Sequence, residues 1–268
     1  MKGGGLASEV AVPLVFLHGS VADPSVWLGL RKWMGAKAIG WDLLVDADLS
    51  FDGWTQRFVT AMRRLGRASG PPVVVGYSLG ARMALHALQA APELFSAAVL
   101  VGPNPGMGDP GERSRRLGRD RQWARKAREM SWQSFLDEWD AQSVLQGSLD
   151  PAVVRPWQQS RLALEARRLA VARTFEMWSP GIQQSLVTRL SKVSLPVMLV
   201  AGGEDERYAR MAVELAGLMP EAESWVVAGA GHRLPWELPG VFFRGVGRFC
   251  GCHGLLSQSG LDKAGNLP

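Results

Sequence analysis

Val73-Val74-Val75-Gly76-Tyr77-Ser78-Leu79-Gly80-Ala81-Arg82-Met83-Ala84-Leu85 is the stretch on which the reading turns. Three β-branched apolar residues in a row read as a buried strand, and Ala81 to Leu85 is rich in helix formers. Between them lies Gly-x-Ser-x-Gly. A serine on so abrupt a strand-to-helix turn must adopt a strained backbone conformation, and glycines two positions away on either side remove the side chains that would collide there. A bare pentapeptide of this type often marks only a turn; strand before and helix after are the context that makes it a nucleophile elbow.

Outward from the elbow, short apolar runs recur at Pro13 to Leu17, Ala38 to Val45, Pro72 to Gly76, Ala97 to Val101, Pro196 to Ala201 and Trp225 to Ala228. All six read as buried strands. Trp54 to Leu65, Leu79 to Ala91 and Tyr208 to Leu218 have the length and apolar spacing of crossover helices, so the alternation predicts a mostly parallel central sheet with flanking helices. From about residue 103 to 192 the alternation stops. That stretch is helical, rich in Arg and Trp, with turn signals at Gly147 and Asp150-Pro151. Inserted before the last strands, it would lie over their carboxyl ends, where open sheets bind ligands, and is expected to act as a helical lid. The whole of 1–268 reads as one domain, with 254–268 as a flexible tail.

A serine hydroxyl is a poor nucleophile at neutral pH and needs an imidazole to take its proton and a carboxylate to hold the imidazole. On an elbow of this kind the chain order is Ser, acid, His, each in a loop after a strand; this is the order of the α/β-hydrolase fold. Asp205 follows Val197 to Ala201 through Gly202-Gly203, and His232 follows Trp225 to Val227 through Ala228-Gly229-Ala230-Gly231. Glu204 and Glu206 are rival acids, and the two-residue spacing with the following Arg207-Tyr208 favours Asp205. His86 on the elbow helix, His253 near the end and His18 before the site have structural readings. At His18-Gly19 the first strong strand ends in a tight loop, so the backbone N–H groups of Ser20 and Leu79 are the expected oxyanion hole.

Composition narrows the remaining classes. With 47% hydrophobic and 21% charged residues in 268, the chain is far from the disordered profile. No run nears the roughly 18 apolar residues that cross a bilayer, and the start lacks the features of a secretory signal, so no membrane association and a cytoplasmic location are expected. Cys250 and Cys252 make no disulfide framework, and with His253 they fall short of a zinc site, so no metal is expected. The net charge of +5 is concentrated in Arg113, Arg115, Arg116, Arg119, Arg121, Arg125, Lys126 and Arg128. Most of these read as a solvated helix face, with one or two turned inward to an anionic substrate, and not as a nucleic-acid surface.

Gly76-Tyr77-Ser78-Leu79-Gly80-Ala81-Arg82, with its arginine four past the serine, resembles the elbow of the 2-succinyl-6-hydroxy-2,4-cyclohexadiene-1-carboxylate (SHCHC) synthase family of menaquinone biosynthesis. The likeness extends through Gly102-Pro103-Asn104-Pro105-Gly106, Glu112-Arg113, Arg116, Asp120, Ala124, Phe135, Trp139 and Gln142 to Asp205 with Tyr208 and Ala230-Gly231-His232 with Glu237 and Pro239. It implies a lyase that eliminates pyruvate, with triad-activated Ser78 as base and no metal or organic cofactor. It also implies that Arg82, Arg116 and Arg161 bind carboxylates of a small polycarboxylate substrate, with Tyr77 and Trp139 lining the pocket. Arg161 lies in an arginine-rich helix where a shift of one turn selects a neighbour. Three departures stand out: Asp46-Ala47-Asp48-Leu49-Ser50 replaces a glycine-rich loop, Ser20 is smaller and more polar than usual after His-Gly, and Ser143 stands where proline commonly follows the glutamine. A serine hydrolase of the same fold, an esterase or C–C bond hydrolase, is the alternative.

Overall fold

The computed structural model describes residues 10–30 and 38–256. Six strands, β1 (Leu14–Leu17), β2 (Ala38–Trp41), β3 (Val73–Tyr77), β4 (Ala97–Val101), β5 (Val197–Gly202) and β6 (Ala222–Val227), form one sheet in the order β2-β1-β3-β4-β5-β6, every pair parallel. This is the α/β-hydrolase architecture anticipated above. Parallel neighbours need crossovers, supplied by α1 (Phe51–Ser69), α2 (Leu79–Ala90) and α7 (Glu206–Ala216), with α8 (Leu234–Glu237) and α9 (Pro239–Cys252) after the last strand. Between β4 and β5 lie α3 (Pro110–Glu129), α4 (Trp132–Asp140), α5 (Pro151–Ala163) and α6 (Arg168–Met177).

The strand alternation divides the interior in two. Val73 and Val75 turn to one side of the sheet, with Phe16, Trp27, Trp236 and Phe242, while Val74 turns to the other, with Trp54, Phe58, Met83 and Leu85. Each fully buried aromatic or leucine there stabilises the fold by about 1.5–3 kcal/mol through lost apolar hydration. A third cluster belongs to the segment between β4 and β5: Ala124, Ala127, Trp132, Phe135, Val171 and Phe175 pack together and touch the sheet side through Val21 and Leu44.

Some boundaries differ from the sequence reading. The run Ala38 to Val45 is a strand only as far as Trp41, because Asp42 accepts a hydrogen bond from Leu44 N–H and caps a 3-10 turn over Leu43–Asp46. The first crossover helix begins earlier, at Phe51, where Ser50 caps it by accepting from Gly53 N–H, and ends at Gly70 with φ of 82°. The expected tail starts packed: Leu256 pairs with Val10 in an antiparallel bridge, and Ala11 N–H donates to Leu255 C=O at 2.8 Å. Residues 257–268 of that tail lie outside the described residues. No helix of the described residues is long and apolar enough to cross a membrane.

Candidate active site

The strand order reverses at β1 and β3, and ligand sites of open parallel sheets form at the carboxyl ends beside such a reversal. Ser78 stands there, between β3 and α2. Its backbone has φ of 52° and ψ of −106°, a left-handed-side conformation that costs a non-glycine residue on the order of 1–3 kcal/mol. Neighbours hold it: Ser78 N–H donates to Val101 C=O at 2.8 Å, and Arg82 N–H donates to Ser78 C=O at 3.1 Å. The two glycines are steric necessities. A Cβ on Gly76 would lie 2.6 Å from Ala81 Cα, and one on Gly80 would overlap the carbonyl oxygen of Leu17 in β1.

The Ser78 hydroxyl lies 3.1 Å from His232 Nε2, and His232 Nδ1 lies 2.6 Å from Asp205 Oδ2. His232 and Asp205 are buried, at 6% and 8% exposure, whereas the rival acids Glu204 and Glu206 are exposed. The loops that carry the pair are bonded to each other, Gly203 N–H to Val227 C=O at 2.8 Å and Glu204 N–H to Ala230 C=O at 2.9 Å. Buried Glu237 brackets the histidine by accepting from Gly231 N–H at 2.5 Å and Arg233 N–H at 3.0 Å. Gly102, φ 61°, passes so close under the imidazole that a Cβ would sit 2.8 Å from His232 Cε1.

His18 is fully buried and outside the proton chain. Leu43 N–H donates to its Nε2 at 3.0 Å, so the ring proton sits on Nδ1, which donates to Gly19 C=O at 2.9 Å. Because a trans peptide sends its C=O and N–H in opposite directions, this bond fixes the Ser20 N–H pointing away from His18. Leu79 is buried at the first position of α2, and Ser20 lines the cavity. Neither N–H has a hydrogen-bond partner among the described residues.

A cavity of about 730 Å³ opens over Ser78 and His232, and Tyr77, Arg82, Arg116, Trp139 and Arg161 all line it. Tyr77 is buried against Trp236 with ring centroids 4.8 Å apart. Trp139 belongs to an aromatic group with Trp123 and Phe175, at 5.0 and 5.3 Å. Arg82 is buried and its Nη1 has no partner among the described residues. Burial, with the nearby Arg116 charge, pulls its pKa down to about 10. Arg116 is held differently: its Nε lies 3.0 and 2.9 Å from the two oxygens of Asp120, which also accepts from Ser179 Oγ at 2.6 Å.

Two features of the cavity had no sequence signal. Arg233, next to His232, and Asp140, at the end of α4, meet as an ion pair 93 positions apart, and Asp140 also pairs with Arg161. Trp157 on α5 lies beneath both guanidiniums. The cysteines sit at the end of α9, Cys250 buried with its thiol pushed up to about 12 by burial and Cys252 exposed.

The sequence profile of the alpha/beta hydrolase family matches residues 14–244. A 2-succinyl-6-hydroxy-2,4-cyclohexadiene-1-carboxylate synthase of Yersinia pestis bv. Antiqua (strain Nepal516) is 29% identical over 266 residues, 93% of this chain and 91% of its own. A Bacillus subtilis (strain 168) protein provisionally named for the same synthase is 28% identical over 176 residues, 66% of this chain and 64% of its own. Among solved structures, MenH from S. aureus superposes with a TM-score of 0.82 at 21% identity, covering 92% of this chain and 96% of that one. With sheet order, elbow and profile in agreement, the chain belongs to the alpha/beta hydrolase family, and within it resembles the SHCHC synthases.

Proposed function

We propose that this chain is a cytoplasmic SHCHC synthase of menaquinone biosynthesis, a lyase that eliminates pyruvate from 2-succinyl-5-enolpyruvyl-6-hydroxy-3-cyclohexene-1-carboxylate. The observation that carries the reading is Arg82: a buried guanidinium with an unpartnered Nη1, in the cavity that holds Ser78 and His232. A buried positive charge that shares its one nearby carboxylate, Asp120, with Arg116 is costly and is of no use to a neutral ester, whereas a substrate carboxylate in the same cavity neutralises it. The substrate carries three carboxylates, and Arg116 and Arg161 line the same space. The named relatives add to this through the activity in their names.

In this mechanism Ser78 gives its proton to His232 Nε2, whose Nδ1–H is held by Asp205, and the resulting alkoxide removes the proton beside the succinyl ketone. Charge develops on the ketone oxygen, where the free N–H groups of Leu79 and Ser20 receive it. The electron pair then flows through the ring to form the diene and breaks the C–O bond to the enolpyruvyl group. That group departs as the enolate of pyruvate and takes up a proton. No acyl-enzyme forms, and the route needs no metal or organic cofactor. The helical segment between β4 and β5 serves as the lid, placing Arg116, Trp139 and Arg161 over the serine.

The assay is pyruvate release from the purified chain and that substrate, with Ser78→Ala as control. Release at enzymatic rates, reduced by about three orders of magnitude or more in the variant, is the expected outcome. The spacing of Ser78, His232 and Asp205 equally suits acyl transfer, which keeps a serine hydrolase as the second reading. Background-level pyruvate release from protein that cleaves aryl esters through Ser78 would select it.

A further inference from the structure

On the wall of the cavity two guanidiniums share one carboxylate. Arg161 donates Nη1 to both oxygens of Asp140, at 2.7 and 2.6 Å, and Arg233 donates Nη2 to the same Asp140 Oδ1. Both forks lie over the Trp157 indole, 5.7 and 5.4 Å from its centroid. The Arg161 and Arg233 side chains are 4% and 7% exposed, the Asp140 side chain 40%. Two buried positive charges therefore face a single half-solvated negative one. Arg161 Nη2 is, in addition, buried without a partner among the described residues. Burial pulls Arg161 below the ordinary guanidinium range; Asp140 opposes that shift and Arg233 adds to it. A buried charged donor left without an acceptor is among the more costly features a fold can keep, and an anion in the cavity that Arg161 and Arg233 line would offset the excess charge.

The same arithmetic holds at the other cluster of the cavity. Arg82 and Arg116 face Asp120, again two guanidiniums to one carboxylate, again with one buried N–H, Arg82 Nη1, unpartnered. Each cluster has one acidic side chain, Asp120 bonded to Arg116 alone and Asp140 to both its arginines, and an excess of one positive charge.

We propose that Arg233 is a substrate-binding residue which, with Arg161, receives a second carboxylate, so that the cavity takes ligands bearing two carboxylates, one per two-arginine cluster, with Asp140 and Asp120 as built-in counter-ions. This rests on the reading of the site as one for a polycarboxylate. Because Arg233 adjoins His232, a carboxylate held there fixes the ligand directly beside the proton chain of the site. Asp140 closes α4, so the same contact also ties the segment between β4 and β5 to the histidine loop.

The test is titration calorimetry on the full chain with two probes, 3-benzoylpropanoate with one carboxylate and 2-(3-carboxypropanoyl)benzoate with two. The unaltered chain should bind the dicarboxylate at least tenfold more tightly. Arg233→Gln should weaken dicarboxylate binding about tenfold and erase that preference, Arg233→Lys should restore part of it, and Asp140→Asn should tighten binding severalfold by removing a competing negative charge. Opposite signs for Arg233→Gln and Asp140→Asn are what a binding role requires. If both weaken binding alike, or if Arg233→Gln binds the dicarboxylate as the unaltered chain does, the cluster only braces the loop and the inference fails. The proposed reaction fails separately: this binding pattern without pyruvate release removes the reaction and leaves the carboxylate site, whereas pyruvate release with binding indifferent to Arg233 does the reverse.

Discussion

Around Ser78 positions are set by backbone against backbone: the elbow glycines pass within contact of Ala81 and of the Leu17 carbonyl, and Gly102 passes under the imidazole. In the segment between β4 and β5 they are set by long side chains instead. Arg116 leans on Asp120, Arg161 on Asp140 and Arg128 on Glu176, and the packed cluster beneath them is small and separate. The first arrangement fixes atoms to fractions of an ångström and tolerates no added volume. The second holds charge at a chosen place while leaving its geometry adjustable, because an ion pair can be exchanged for another of the same sign without rebuilding the chain. In the proposed reaction the reacting groups belong to the first region and ligand charge is met mainly by the second.

The largest effect separating the two should come from one substitution made in each. Gly80→Ala drives a methyl into the Leu17 carbonyl, and β1 cannot retreat because it is bonded to β2 on one side and β3 on the other. Loss of folded protein, or a fall in melting temperature above about 10 °C, is expected. Gly118→Ala, in the middle of α3 with open space around the added carbon, should instead stabilise by about 0.5–1 kcal/mol. Equal responses in thermal unfolding would end the distinction.

Arg82 is the exception that sharpens it, a cavity-lining charge built into the rigid side on α2. Its lowered pKa means the folded state holds this proton less tightly than the unfolded chain, so the charged form opposes folding at neutral pH. Arg82→Met should therefore raise the melting temperature of the free protein while lowering kcat/KM for the proposed substrate by about 10² to 10³, chiefly through KM. A variant that is both less stable and fully active would show that Arg82 is structural.

Legibility in the sequence follows the same division. The elbow, the order of Ser78, Asp205 and His232 along the chain and four of the six strands nearly to their ends could be read because each is a local pattern, enforced by sterics over a few residues. The run Ala38 to Val45 overran β2 because Leu43 to Val45 stay apolar through the turn capped by Asp42. Ala222 to Ser224 of β6 escaped because the strand lies at the sheet edge and its outer residues are polar, leaving no apolar run. The helix position of Arg161 was readable only through family likeness. Arg233, Asp140 and Trp157 were not readable at all: their meeting depends on how α4 and α5 fold back over the histidine loop, and nothing near Arg233 in the chain marks a partner 93 residues away. Charge pairing between segments distant along the chain leaves no periodic trace.

The smallest effect concerns acid. His86, one turn beyond Arg82 on α2, stacks on Phe51 at 4.5 Å, and its Nε2 is buried without a partner among the described residues. Burial, with the Arg82 charge, pulls its pKa down to about 4 from 6.5. The unfolded chain then binds a proton that the folded chain refuses, so stability is complete above about pH 6.5 and drains as pH falls toward 4, by about 3 kcal/mol in all. Glu176 behaves otherwise: Arg128 holds its carboxyl below the ordinary 4.5, against a smaller opposing effect of burial, so its contribution is lost only at more acid pH. Melting temperatures between pH 7 and 5 separate the two. His86→Phe keeps the ring stack and should flatten the decline, Glu176→Gln should follow the unaltered chain, and Arg82→Met should shrink the decline because it removes one of the two causes of the shift. A His86→Phe protein that declines as steeply as the unaltered chain would move the origin of the acid sensitivity out of the rigid side altogether.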